Sequence, residues 1–155
     1  AVRSRGLGDV YKRQEMNFEP IAFSAMQTAK GGRHPIYHTN VMMSIGTAFC
    51  AICLDCIDDI EEREAVREEI EGDGLEVILL SEDQVELFAG NMLELQGKNG
   101  PLIAMSSSAF RALDTSQRER LSAHGELIHS DLSTIETCGG GSARCMIAEI
   151  HLQEA

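Results

Sequence analysis

The sequence predicts an α/β fold made of repeated ββαβ units arranged as part of a circular array. Three observations carry this reading. Two hairpins, each opened by an asparagine, recur with Asn40 and Asn91 51 positions apart. Each hairpin is followed by a charged helical segment and then a short apolar strand, and the two closing strands are 50 positions apart, from Val77 to Leu127. Near-constant spacing over three successive elements is the signature of an internal repeat.

The elements follow in order. Residues 1–14 have no helical or strand period and resemble a translated adapter read of the kind that opens truncated metagenomic sequences. They are set aside as an artefactual or disordered leader, and residues 15–155 are expected to form the C-terminal part of a single domain. Phe18–Ser24 matches the closing strand of a preceding unit. Val41–Ile45 and Ala48–Leu54 read as a hairpin around Gly46-Thr47. Asp58–Gly72 is a helix with Ile60, Val66 and Ile70 as its apolar stripe and acidic and basic residues at i,i+4 on its solvated face. Glu76–Leu80 closes the unit.

The second unit repeats the pattern. Met92–Leu95 and Pro101–Met105 flank a Gly/Asn turn, Ser107–His124 is the helix with Phe110, Leu113 and Leu121 inward, and Glu126–His129 is the closing strand. Cys145–Leu152 matches the opening strand of a third unit. About two full units with a partial unit at each end are therefore expected. In that arrangement His38, Asn40, Asn91 and Cys145 sit at equivalent strand heads, and the heads of a circular array converge on its axis. Convergence brings His38 to Cys145 across 107 residues of chain.

Composition narrows the function. A net charge of −12 argues against nucleic acid, whose phosphates need a basic surface. No run approaches the roughly 18 apolar residues of a membrane span. Five cysteines, an odd number without a secretory leader, point to a reduced, cytoplasmic setting. The oligomeric state is not legible.

The chemistry is concentrated near the end of the chain. Gly139-Gly140-Gly141-Ser142-Ala143-Arg144-Cys145-Met146 leads a glycine turn and an arginine into a cysteine. A thiol beside a fixed positive charge is placed to exist partly as thiolate, and a histidine brought to it can move protons. Arg144 either favours that thiolate, binds a substrate carboxylate or points outward, since neighbours in an extended chain face opposite sides. Cys50, Cys53 and Cys56 have the spacing of metal ligands, but they lie in or after an apolar strand with no fourth ligand at ligand spacing, and they read as core thiols. No metal or other cofactor is expected. His34 reads as loop, and His124, His129 and His151 as surface or packing residues. Asp131 and Glu136, in the loop before the glycine run, are candidates for contacting a substrate amine.

These motifs resemble a known superfamily. Gly140–Met146 is similar to the glycine-glycine, arginine-cysteine-methionine signature of arginine deiminases. Pro35-Ile36-Tyr37-His38-Thr39-Asn40-Val41-Met42-Met43 and Phe88-Ala89-Gly90-Asn91-Met92-Leu93-Glu94 look closest to the bacterial citrulline-utilisation hydrolases. Together they resemble the pentein α/β-propeller of the guanidine-modifying enzymes, which include arginine deiminases, dimethylarginine hydrolases and amidinotransferases. The likeness runs from Phe18 to Leu152. It implies a partial α/β-propeller and a C–N hydrolase acting on a guanidino or ureido amino acid of the arginine or citrulline type. Cys145 would be the nucleophile and His38 the acid and base. Asn40, Asn91 and Arg144 would bind substrate, Asn40 standing where arginine deiminases carry an aspartate. That neutral amide suits a ureido group or a substituted guanidine. The acid-and-glycine motif with which relatives hold substrate does not precede His38, so the chain by itself is expected to be inactive. Amidino transfer to an amine acceptor is the alternative reaction, and a non-catalytic binding propeller the alternative class.

Overall fold

A computed structural model describes residues 21–29 and 31–148. The chain enters through a small antiparallel hairpin, β1 (Met26–Ala29) and β2 (Gly32–Pro35), turned at Gly31 with φ +78°. This differs from the expectation in two ways. His34 lies on a strand rather than in a loop. Residues 21–25 form no strand: Ser24 N–H donates to Glu62 Oε2 at 2.7 Å instead of to a neighbouring strand. Residues 18–20 of that expected strand lie outside the described residues.

The first full unit holds β3 (Met43–Ile45), β4 (Phe49–Ile52), α1 (Ile60–Gly72) and β5 (Glu76–Leu79). β3 pairs antiparallel with β4, and β4 pairs parallel with β5 in register Phe49 to Glu76. β4 is wholly buried and needs no alternation, as expected of a central strand covered on both faces. Asp59 caps α1 by accepting from the Glu61 and Glu62 N–H groups. This makes Ile60 the first helical residue, and it is 71% exposed, so the inward stripe is Val66 and Ile70 without it.

The second unit repeats the first. β6 (Leu93–Gly97) pairs antiparallel with β7 (Gly100–Ser106), which pairs parallel with β8 (Glu126–Ser130). A short helix, α2 (Glu82–Glu86), joins the units and was not anticipated. Its cap is reciprocal, with the Ser81 hydroxyl on Gln84 N–H and the Gln84 carboxamide on Ser81 N–H. The expected single helix over Ser107–His124 is two, α3 (Ser107–Ala112) and α4 (Thr115–His124). Leu113 turns to ψ 136° and Asp114 restarts the chain with its own capping box to Gln117. The two N3 glutamines then meet: Gln84 Nε2 donates to Gln117 Oε1 at 2.7 Å, and Gln117 Nε2 donates to Leu79 O at 2.6 Å. Two local caps thus become one seam between units.

A single core runs through both units, with Met42, Phe49, Ile78, Met92, Ile103 and Leu121 fully or almost fully buried. Cys50, Cys53 and Cys56 belong to it, each at 0% exposure. Burial pushes the Cys50 thiol up to about 12. A hydrogen bond to Cys53, then burial, raises Cys56. Among the described residues no group of three or more His, Cys, Asp or Glu side chains is arranged to hold a metal ion, and no helix is long and apolar enough to cross a membrane.

Candidate active site

The glycine run forms a turn between two short helices. α5 (Ser133–Gly139) ends at Gly140, which takes φ +67°, a left-handed conformation that glycine adopts without cost. Ser142 then stands at the N-cap position of α6 (Ala143–Met146) without a side-chain cap bond, and the Cys145 N–H donates to Ser142 O at 3.1 Å. Cys145 therefore rides on a helical turn rather than at the head of a strand. The left-handed Gly140 redirects the chain, and Ser142 at the helix start lets it wind again. Residues 147 and 148 form no strand, and 149–152 of the expected strand lie outside the described residues. The bare α-carbon of Gly141 has a use as well: a Cβ there would sit 3.1 Å from Cys145 Cβ and 3.3 Å from its Sγ.

The exposed Cys145 thiol meets Asn91, which is only 4% exposed. Asn91 Nδ2–H donates to Cys145 Sγ at 3.3 Å and to Asn40 O at 3.1 Å. Its Oδ1 accepts from Arg144 N–H at 3.2 Å. The Asn91 carboxamide is thus engaged on both sides, and it joins the cysteine turn to the first unit. The Arg144 guanidinium reaches back to Met43 O at 3.4 Å, on β3.

His38 caps the single 3₁₀ turn Thr39–Val41 ahead of β3. Its Nδ1 accepts from Asn40 N–H at 3.0 Å, so in this arrangement the ring proton sits on Nε2. Among the described residues no hydrogen bond joins His38 to Cys145 directly. The path runs from His38 through the Asn40 backbone to Asn91 and then to sulfur. Asn40's own carboxamide makes no hydrogen bond among the described residues. The structure thus gathers Cys145, Arg144 and Asn40 around Asn91, with His38 bonded to the Asn40 backbone from two residues before it.

Asp131 and Glu136 serve their own chain. Asp131 Oδ1 accepts from Ser133 N–H at 3.0 Å, which holds the Asp131 carboxyl below the usual range. Glu136 accepts from Ser142 Oγ at 2.7 Å and from Ser108 Oγ at 2.9 Å. Ser142, fully buried directly before the cysteine turn, was missed at the level of sequence. A serine following three glycines is an N-cap signal that could have found it.

Two comparisons follow from this geometry. The structure is similar to the ligand-free crystal structure of ArgZ, an arginine dihydrolase from the ornithine–ammonia cycle in cyanobacteria, with a TM-score of 0.54 and 17% identity. The match covers 70% of this chain and 15% of that one, so the chain spans a small part of that protein's length. At this identity the likeness is one of fold, a pentein-like α/β arrangement of ββαβ units. The family model of eukaryotic N,N-dimethylarginine dimethylhydrolase matches residues 6–152, and the chain belongs to that family. No curated protein matches it.

Proposed function

We propose that the protein hydrolyses a guanidino C–N bond of an arginine-type amino acid through a covalent intermediate on Cys145. The observation that carries this reading is the Asn91 bridge, which holds the thiol and the Arg144 backbone on one side and the His38–Asn40 turn on the other. A cysteine and a histidine far apart in sequence then share one small polar surface, as nucleophile and proton carrier must.

The proposed steps balance without a redox partner. The Cys145 thiolate adds to the guanidino carbon and forms a C–S bond. The C–N bond to the departing amine breaks as His38, first protonated to the imidazolium with its Nδ1 released from the Asn40 N–H, gives that nitrogen a proton. A thiouronium group remains on sulfur. Water then adds to the same carbon while His38 takes one of its protons, the C–S bond breaks, and a ureido product leaves with the thiolate restored, the second water proton passing to the released amine. One water is consumed in each cycle.

Asn40, whose carboxamide makes no hydrogen bond among the described residues, is the proposed contact to the guanidino group. A carboxamide offers one acceptor oxygen where a carboxylate offers two, which suits an N-methylated guanidine, whose methyl groups have replaced N–H donors. The family description points the same way. Nω,Nω-dimethylarginine is therefore the first substrate to test, with arginine and citrulline beside it. Arg144 is proposed to meet the amino acid's carboxylate on leaving Met43 O. The test, run on a longer chain that carries this one as its C-terminal part, is release of amine and ureido product by the wild type, Cys145→Ser and His38→Ala. Turnover is expected to vanish in the serine variant and to fall by about 10²–10⁴-fold in the alanine variant, the usual contribution of a positioned acid–base group. Activity surviving Cys145→Ser contradicts the reading.

A further inference from the structure

Glu136 lies on α5, beyond the glycine run from Cys145, and touches neither the thiol nor the Asn91 bridge. Its two carboxylate oxygens are nevertheless committed. One accepts from Ser142 Oγ at 2.7 Å, and the other from Ser108 Oγ, at the start of α3, at 2.9 Å. Ser142 is at 0% exposure, and its backbone carbonyl accepts the Cys145 N–H. Its hydroxyl does not cap its own helix, as a serine in that position usually would. It is turned the other way, onto Glu136.

We propose that Glu136 is a positioning residue for the cysteine turn, bracing Ser142 against Ser108 so that Cys145 is held on Asn91. The turn is then fixed from two directions, by the carboxylate behind Ser142 and by the carboxamide in front of Arg144. A turn containing three glycines has little stiffness of its own, so the bracing must come from outside it. A carboxylate suits the task because it accepts from two hydroxyls at once and such bonds are stronger than neutral ones. This account rests on Cys145 being the nucleophile, and it assigns to Glu136 a role in place of the substrate-amine contact its sequence position suggested.

The test uses thiol reactivity rather than turnover. Iodoacetamide labelling of the native chain, followed by peptide mass spectrometry, gives separate rates for Cys145 and for Cys138. Cys138 is also exposed and lies on the same helix as Glu136, so it reports whether α5 itself has loosened. Glu136→Ala and Ser142→Ala are expected to change the Cys145 rate by about tenfold while leaving Cys138 within about twofold, since small misplacements at a reacting atom carry effects of this size. Glu136→Gln, which keeps one acceptor and gains a donor for the second serine, is expected to restore most of the wild-type rate. If Glu136→Ala is poorly folded, Ser142→Ala, which removes only a hydroxyl, carries the test. An unchanged Cys145 rate in a folded Ser142→Ala protein overturns the proposal, as does a parallel change at Cys138. Absence of hydrolase activity would remove the proposed function and leave this measurement intact.

Discussion

Asn91 is where the two units and the candidate nucleophile meet. Its carboxamide serves Cys145 Sγ, Arg144 N–H and Asn40 O together, and it is almost wholly buried. Replacing it by leucine keeps the volume and removes every one of these bonds. Asn91→Leu is expected to lower stability by about 1–3 kcal/mol, the cost of stranding buried polar groups, as read by urea unfolding. An unchanged midpoint would mean that these contacts do not hold the turn. The sequence made Asn91 visible through its repeat equivalence to Asn40 but assigned both to substrate. Spacing locates a residue along the chain and says nothing about where its side chain is spent. Here one asparagine is bonded to sulfur, and the other's carboxamide makes no hydrogen bond among the described residues. Glu136 was hidden for the same reason, because a carboxylate in a polar loop looks alike whether it faces solvent or two serines.

The elements were legible wherever an apolar period was uninterrupted, and less so where a cap competed with it. The strands of both units came out within two residues of expectation at most ends, because a buried strand advertises itself by composition. The helix expected over Ser107–His124 broke at Asp114, and α2 was passed over. Both cases carry the same overlooked signal, a capping residue followed three places on by glutamine: Ser81 with Gln84, and Asp114 with Gln117. The expected third-unit strand at Cys145 failed differently, since the apolar run after it cannot reveal that Gly140 and Ser142 wind the chain first. Close packing between elements gives a direct check. A Cβ on Gly90 would lie 2.5 Å from Val41 O and 2.8 Å from the Met42 carbonyl carbon, both backbone atoms that cannot swing aside. Gly90→Ala is expected to cost about 1–3 kcal/mol through overpacking, measured by thermal or urea unfolding. It would also displace the 3₁₀ turn that carries Asn40. A neutral substitution would show that the loop before Asn91 does not press on the 3₁₀ turn ahead of β3.

At the scale of the whole molecule, the repeat proved to be the feature most fully written in the sequence. The same antiparallel-then-parallel strand order appears in both sheets. What joins the units was not written there, because the joining contacts pair residues that share no pattern. Glu76 on β5 is one such contact: it accepts from Arg120 Nε at 2.5 Å and meets His124 Nε2 at 2.7 Å, both on α4 of the next unit. The hydrogen bond from Arg120, then that from His124, holds the Glu76 carboxyl below its ordinary value. The unfolded chain therefore takes up this proton at higher pH than the folded one. The contribution is full above the ordinary carboxylate range and is lost as pH falls through the lower folded value. Unfolding measured from neutral to acid pH is expected to show a shallower acid loss in Glu76→Gln than in the wild type. Identical acid limbs would remove Glu76 from the account of how the units hold together. The exposure of the Glu76 and Arg120 side chains keeps the effect modest.

The central claim is that a bond forms between Cys145 sulfur and a guanidino carbon. Rapid acid quenching of the wild type and of His38→Ala with Nω,Nω-dimethylarginine, followed by peptide mass spectrometry, tests it most directly, because loss of the proton carrier slows both formation and hydrolysis of the adduct and leaves whatever has formed on sulfur to be caught. The account predicts an added thiouronium group on the peptide containing Cys145 and on no other cysteine peptide. Ureido product formed by the wild type with no such adduct in any quenched sample, or an adduct on Cys138 instead, would contradict it.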